Sequence, residues 1–121
     1  MPELPYRNLE VWRRSHALTM AALDLAESRP VARRPALADQ ITRAALSIPL
    51  NIAEGRGRRT RNDFAGFLAI ARGSLFELDA ALYLCHCRNL LPDGTYAALH
   101  SEIYELTAMV QAMIDSLRNP K

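Results

Sequence analysis

The sequence predicts an all-α fold: an antiparallel up-down four-helix bundle forming a single domain over 1–121. Three observations carry this reading. Four long segments space their apolar residues alternately three and four apart. Proline, glycine or a capping residue bounds each segment. No stretch shows the two-residue alternation of a half-buried strand. A 3.5-residue repeat on helices joined by short loops favours shallow antiparallel crossings.

The first segment covers 8–28, with Leu9, Trp12, His16, Thr19, Leu23 and Ala26 as its stripe and Asn8 as its N-cap. Pro30 and Pro35 bracket a basic connection, RPVARRP, that ends the helix. The second begins near Ala36 and repeats Leu37, Ile41, Ala44, Ile48 and Ile52. Gly55 marks its end as a candidate left-handed C-terminal residue, and Gly57 follows. The third opens on a Thr60–Asp63 capping pair and runs through Phe64, Leu68, Ala71, Leu75, Leu78, Leu82 and Cys85. The fourth starts at Asp93–Gly94–Thr95 and carries Tyr96, Leu99, Ile103, Leu106, Val110, Met113 and Leu117. Asn119 and Pro120 close it.

Two features exceed a minimal bundle. The first helix has a second apolar row, Val11, Leu18, Ala22 and Leu25, and the third adds Phe67, Ile70, Phe76 and Tyr83. Such rows are either wide core faces or contacts between subunits. Pro49 interrupts the second helix, where a proline removes one hydrogen bond at a cost of about 3 kcal/mol. Either the helix kinks there, with Ser47 covering freed backbone, or Pro49 starts a separate short helix.

Composition excludes more than it selects. Half the 121 residues are hydrophobic and 23% are charged, a folding composition. No run of apolar residues is long enough to span a membrane, and MPELPYRNLE has no signal-peptide pattern. Cys85 and Cys87 sit too close to staple a fold, so reduced thiols and a cytoplasmic location are expected. The net charge of +2 does not by itself indicate nucleic acid. Its distribution is uneven: residues 1–72 are net +5 and 73–121 net −3, and the basic side is arginine apart from Lys121.

Little points to catalysis, and no cofactor is expected. His16, His86 and His100 lie on three different helices, with His16 on the core stripe. Cys85, His86 and Cys87 are consecutive on a helix, point about 100° apart and cannot converge on zinc, so no metal site is expected. There is no nucleophile elbow and no phosphate loop. Polar residues among the apolar ones suggest instead a structural network of Arg43, Asn51, Glu54 and Glu77, with Arg43 paired to Glu54 or Glu77.

The basic clusters carry the binding signal. Arg56, Arg58, Arg59 and Arg61 surround a glycine-bearing turn before the third helix, a combination suited to phosphate. Arg33 and Arg34, in the first loop, form a weaker second set at the opposite end of an up-down monomer. Either set is also compatible with a solvated charged turn.

Three stretches carry a resemblance: YRNLEVWRRSHALTMAALDL, LADQITRAALSIPLNIAEGRGR and NDFAGFLAIARGSLFELDAAL. Together they resemble the four-helix-bundle proteins encoded by intervening sequences of 23S ribosomal RNA, which are similar to the accessory variability proteins of diversity-generating retroelements. SIPLNIAEGRGR at 47–58 and FLAIARGSLFEL at 67–78 are its most specific blocks. The resemblance spans about three quarters of the chain; the fourth helix fits by pattern alone. It implies a homopentameric ring of bundles with a central channel, no catalytic activity, and nucleic acid or a reverse transcriptase as partner. Thr42, Leu50 and Asp63 depart from the family pattern, the first where a further arginine often stands. The expected function is a non-enzymatic scaffold binding nucleic acid, RNA foremost, through its arginine turns. A protein adaptor docking a reverse transcriptase is the alternative.

Overall fold

The helical periods of the sequence are realised without competition from strands. The computed structural model describes residues 1–119, and among them no strand forms. A 3₁₀ turn at Pro5–Asn8 precedes α1 (Glu10–Glu27), α2 (Arg29–Ala32), α3 (Pro35–Arg56), α4 (Arg61–Cys87) and α5 (Thr95–Arg118). The four long helices are the four expected segments. The short α2 is a single turn built from RPVA, where Pro30 is tolerated because the first turn has no hydrogen-bond partner for its missing N–H.

Helix α3 packs against α1 and α4, α4 also packs against α5, and α5 returns to touch α1. Gly55 lies against Phe64 and Phe67, while Ser47 bonds Ser74 farther along, so α3 and α4 run antiparallel. Tyr96 at the start of α5 stacks on His86 near the end of α4, consistent with a second antiparallel pair. The core is built on Ile41, Ile48, Ile52, Leu68, Leu75, Leu78, Leu82 and Leu106, all fully buried. Burying each such side chain contributes about 1.5–3 kcal/mol.

Local signals explain the boundaries, with corrections. The Thr60 hydroxyl accepts from the Asp63 N–H at 3.1 Å, as the capping pair predicts. Gly94 precedes α5 at φ 81, a left-handed conformation that favours glycine. Asn8 does not cap α1, because the 3₁₀ turn absorbs it and Leu9 occupies the N-cap with no side-chain bond. Gly55 is not a left-handed terminator either. It is buried within α3, and a Cβ there would stand 2.8 Å from the Phe67 Cβ and 2.9 Å from Phe64 Cδ1. Its role is to let two helices approach. The expected stop at Pro120 lies outside the described residues.

Helix α1 departs most from the expected pattern. Val11, Ser15, Leu18, Thr19, Ala22 and Ala26 are buried, so most of the supposed second row is the core face. His16 is exposed and stacks on the half-buried Trp12 with ring centroids 5.3 Å apart. Small side chains decide the rotation: Ser15, Ala22 and Ala26 permit close approach where Trp12 and Leu23 would hold the helices apart. The second row of α4 behaves differently. Ile70, Phe76 and Tyr83 each leave about half their surface exposed.

Helix α3 continues unbroken through Pro49, so no separate helix begins there. The freed backbone acceptor is met from another helix: the Thr19 hydroxyl donates to the Ala45 carbonyl at 2.9 Å. Ser47 instead takes part in a small polar junction. Its hydroxyl meets the Ser74 hydroxyl at 2.7 Å and accepts from the Asn51 amide at 2.9 Å.

Candidate functional site

The turn between α3 and α4 presents Arg56, Arg58, Arg59 and Arg61 in exposed positions. It is held from below by Gly57, whose N–H bonds back to the Ala53 and Glu54 carbonyls, and from above by the Thr60 cap. Arg58 is the most restrained of the four. Its Nη1 pairs with Glu54 Oε2 at 3.2 Å and its guanidinium carbon sits 5.0 Å from the Phe67 ring centroid. Arg56, Arg59 and Arg61 make no ion pair with a described carboxylate. Three uncompensated guanidinium groups therefore flank the N-terminus of a 27-residue helix, where the backbone dipole also favours anions.

Arg33 and Arg34 are exposed beside α2 and lie at the other end of α3. The 22 residues of α3, at about 1.5 Å rise each, separate the two sets by roughly 30 Å. They do not form one patch on a single chain. Arg34 is near enough to the C-terminal end of α4 for its charge to lower the Cys85 pKa, but burial dominates and holds that thiol above its usual range. Cys85 is buried and Cys87 exposed, so the two thiols face apart as expected of a helix.

The expected polar network is not present. Arg43, Glu54 and Glu77 are all exposed, and Arg43 pairs with neither acid. Arg43 and Glu77 merely line one shallow groove, with Arg43 bonding Gln40 at 3.4 Å. Asn51 joins Ser47, and Glu54 serves the basic turn. The reason is angular. Each acid and Arg43 fall between stripe positions, and without a buried partner a charge stays in water. The buried-edge ion pair forms elsewhere, where Arg14 on α1 grips Glu102 on α5 at 2.6 and 3.0 Å. The hydrogen bond to Glu102 and its negative charge hold Arg14 protonated well above its ordinary range.

A second polar constellation escaped the sequence reading. Along α4 and α5, a groove of about 470 Å³ is lined by Arg72, Phe76, Asp79, His100, Tyr104 and Gln111 among others. Asp79 accepts at 2.6 Å from His100 Nδ1 and at 3.2 Å from the Tyr96 hydroxyl. Burial, then the charge of Asp79 and the bond to it, push the Tyr96 pKa up to about 12. Among the described residues no three His, Cys, Asp or Glu side chains gather as a metal site would require. No described helix is long and apolar enough to cross a membrane.

Comparison with known proteins places this architecture. A solved protein of unknown function from the S23 ribosomal protein family of Bacteroides thetaiotaomicron is similar in fold, with a TM-score of 0.78. The likeness covers 86% of this chain and 97% of that one at 21% identity, which bears on the fold alone. No curated protein matches the sequence. The sequence profile of the 23S rRNA-intervening sequence proteins matches residues 7–112, from the first turn of the fold to the last third of α5. With most of its length matched in this way, the chain belongs to the 23S rRNA-intervening sequence protein family.

Proposed function

We propose that the protein is a non-enzymatic, cytoplasmic, homo-oligomeric scaffold that binds nucleic acid, RNA foremost, through the α3–α4 turn. The observation that carries this is the set Arg56, Arg59 and Arg61, exposed and without carboxylate partners among the described residues. Guanidinium groups present planar forks to phosphate oxygens, and the start of α4 adds its partial positive charge. Three or four arginines on one chain make a weak site. A ring, with a pentamer favoured, would repeat the turn around an axis and turn it into a polyanion surface.

The assembly itself draws support from α4, whose Ile70 and Tyr83 remain half-exposed outside the α4–α5 groove. Helix α1 offers no comparable row, since Val11, Leu18 and Ala22 are buried in the core. The same exposed apolar row favours the second reading, an adaptor docking a protein such as a reverse transcriptase. The test is a salt titration of RNA binding by the parent and by the quadruple Arg56, Arg58, Arg59 and Arg61→Gln variant, with light scattering of both. Affinity that falls steeply with salt, and a slope that collapses in the variant, supports the scaffold. Unchanged binding by a folded, equally sized variant refutes the site. A monomeric parent at micromolar concentration refutes the ring.

A further inference from the structure

We propose that the groove between α4 and α5 binds a small organic acid, with its carboxylate on Arg72 and a flat apolar body along Phe76 and Tyr104. This site is separate from the basic turn and does not rest on nucleic-acid binding.

The starting observation is an unmatched charge. Arg72 is half-buried, its Nε is shielded from solvent without a hydrogen-bond partner, and it makes no ion pair with a described residue. Its guanidinium carbon lies 4.8 Å from the Phe76 ring centroid, so the plane is backed by an aromatic face. Its shielded Nε–H is served by neither water nor a carboxylate, while the rest of the fork stays open toward the groove. An incoming carboxylate would therefore meet a donor with no competing partner. Among the described residues, Arg14 and Arg58 are by contrast each paired with an acid, Glu102 and Glu54.

The surroundings specify the rest of the ligand. The groove has about 470 Å³, within the range of small-molecule sites and too little for a folded partner. Ile103 forms a buried wall, while Phe76 and Tyr104 expose 55% and 72% of their surface along its edges. These rings offer stacking surface to a planar body. Asp79, the one acid lining the groove, stands two helical turns from Arg72, about 10 Å along α4. It is already engaged by His100 and Tyr96, so it does not neutralise the guanidinium. Charge at one end, apolar rings between and an occupied acid at the far end fit a monocarboxylate better than a dianion.

The experiment uses the full chain and 2-naphthoate as the probe in equilibrium dialysis, with the neutral amide 2-naphthamide beside it. Saturable binding at one site per chain is expected, weakened at least about tenfold for the amide and for Arg72→Gln. Ala108→Phe, which fills the groove from an exposed position without touching the charge, should also abolish binding while leaving the melting temperature in place. Equal binding of acid and amide, or of parent and both variants, overturns the proposal. A change of oligomeric mass in Arg72→Gln also overturns it, since a neighbouring copy's carboxylate would then be the occupant.

Discussion

The hydroxyl of Thr19 on α1 donates to the main-chain carbonyl of Ala45 on α3 at 2.9 Å, deep inside the bundle. Ala45 stands four residues before Pro49, so its carbonyl is the acceptor that proline leaves without a helical N–H. The two oddities of the sequence, a polar residue on the α1 core and a proline inside α3, are therefore one arrangement. It lets α3 pass through Pro49 unbroken and fixes the rotation of α1 against it.

This coupling is measurable by a double-mutant cycle. Thr19→Val should cost about 1–3 kcal/mol, the penalty for a buried carbonyl left unpaired. In a Pro49→Ala background the restored N–H serves Ala45, so the same change should cost markedly less. Urea denaturation of the four proteins gives the coupling directly. Equal costs in both backgrounds would show that Thr19 acts only by filling space.

Glycines on α3 and α4 should respond in opposite directions. A Cβ at Gly55 meets the Phe67 Cβ at 2.8 Å and the Phe64 carbonyl at 3.2 Å, so backbone or β-carbon must move. Overpacking of that kind costs about 1–3 kcal/mol and outweighs the helix propensity that alanine gains. Gly73 has nothing within 4 Å of its would-be Cβ. Gly73→Ala should stabilise by about 0.5–1 kcal/mol. Thermal melts that show both substitutions shifting the same way would contradict the packing role of Gly55.

Helices α3, α4 and α5 were legible because one apolar row dominates each and most of their buried residues fall on it, the extra ones, such as Ala45, Ala65, Ala81 and Ile114, flanking that row. In α1 two rows compete: the unbroken three–four spacing singles out the one with Trp12 and Leu23, although the row with Val11 and Leu18 is the more apolar. The choice is made by fit against α3, through Ser15, Thr19 and Ala22, and that information lies in the partner helix. The basic turn was visible as four arginines in six residues. Its partial neutralisation by Glu54 was not, since an acid one turn before Arg58 reads equally well as facing inward. The Arg72–Phe76–Asp79–His100 groove left no local trace, because it exists only where two helices meet.

Alkaline pH should expose the Tyr96 contact. In the fold its hydroxyl ionises near 12 in place of 10.0, because burial and Asp79 oppose a phenolate. The unfolded chain releases that proton first as pH rises. The contribution of Tyr96 is therefore complete below about pH 10 and disappears as pH approaches about 12. Tyr96→Phe removes the titrating group. The stability difference between parent and variant, from urea midpoints, should shrink across that window. A difference that stays constant there would show that Tyr96 titrates alike in both states.

The final prediction separates the arginines of the α3–α4 turn by their partners. Arg58 is shared between Glu54 and the Phe67 ring, whereas Arg56, Arg59 and Arg61 have no described acid. Each guanidinium that neutralises a phosphate contributes about one unit of salt slope through counterion release. Single Arg→Gln changes at 56, 59 and 61 should each lower the slope by about one unit, and Arg58→Gln by less. Glu54→Gln makes the opposite case. It frees Arg58 and removes a negative charge from the turn, so affinity should rise and the slope should steepen by up to about one unit. Stability should stay within about 0.5 kcal/mol, because the Arg58–Glu54 pair is solvent-exposed on both sides. Fluorescence anisotropy with a single-stranded RNA across a salt series, beside a melt of each variant, reads both quantities. If Glu54→Gln leaves affinity and slope where they were, while loss of the free arginines also changes nothing, nucleic acid does not contact this turn.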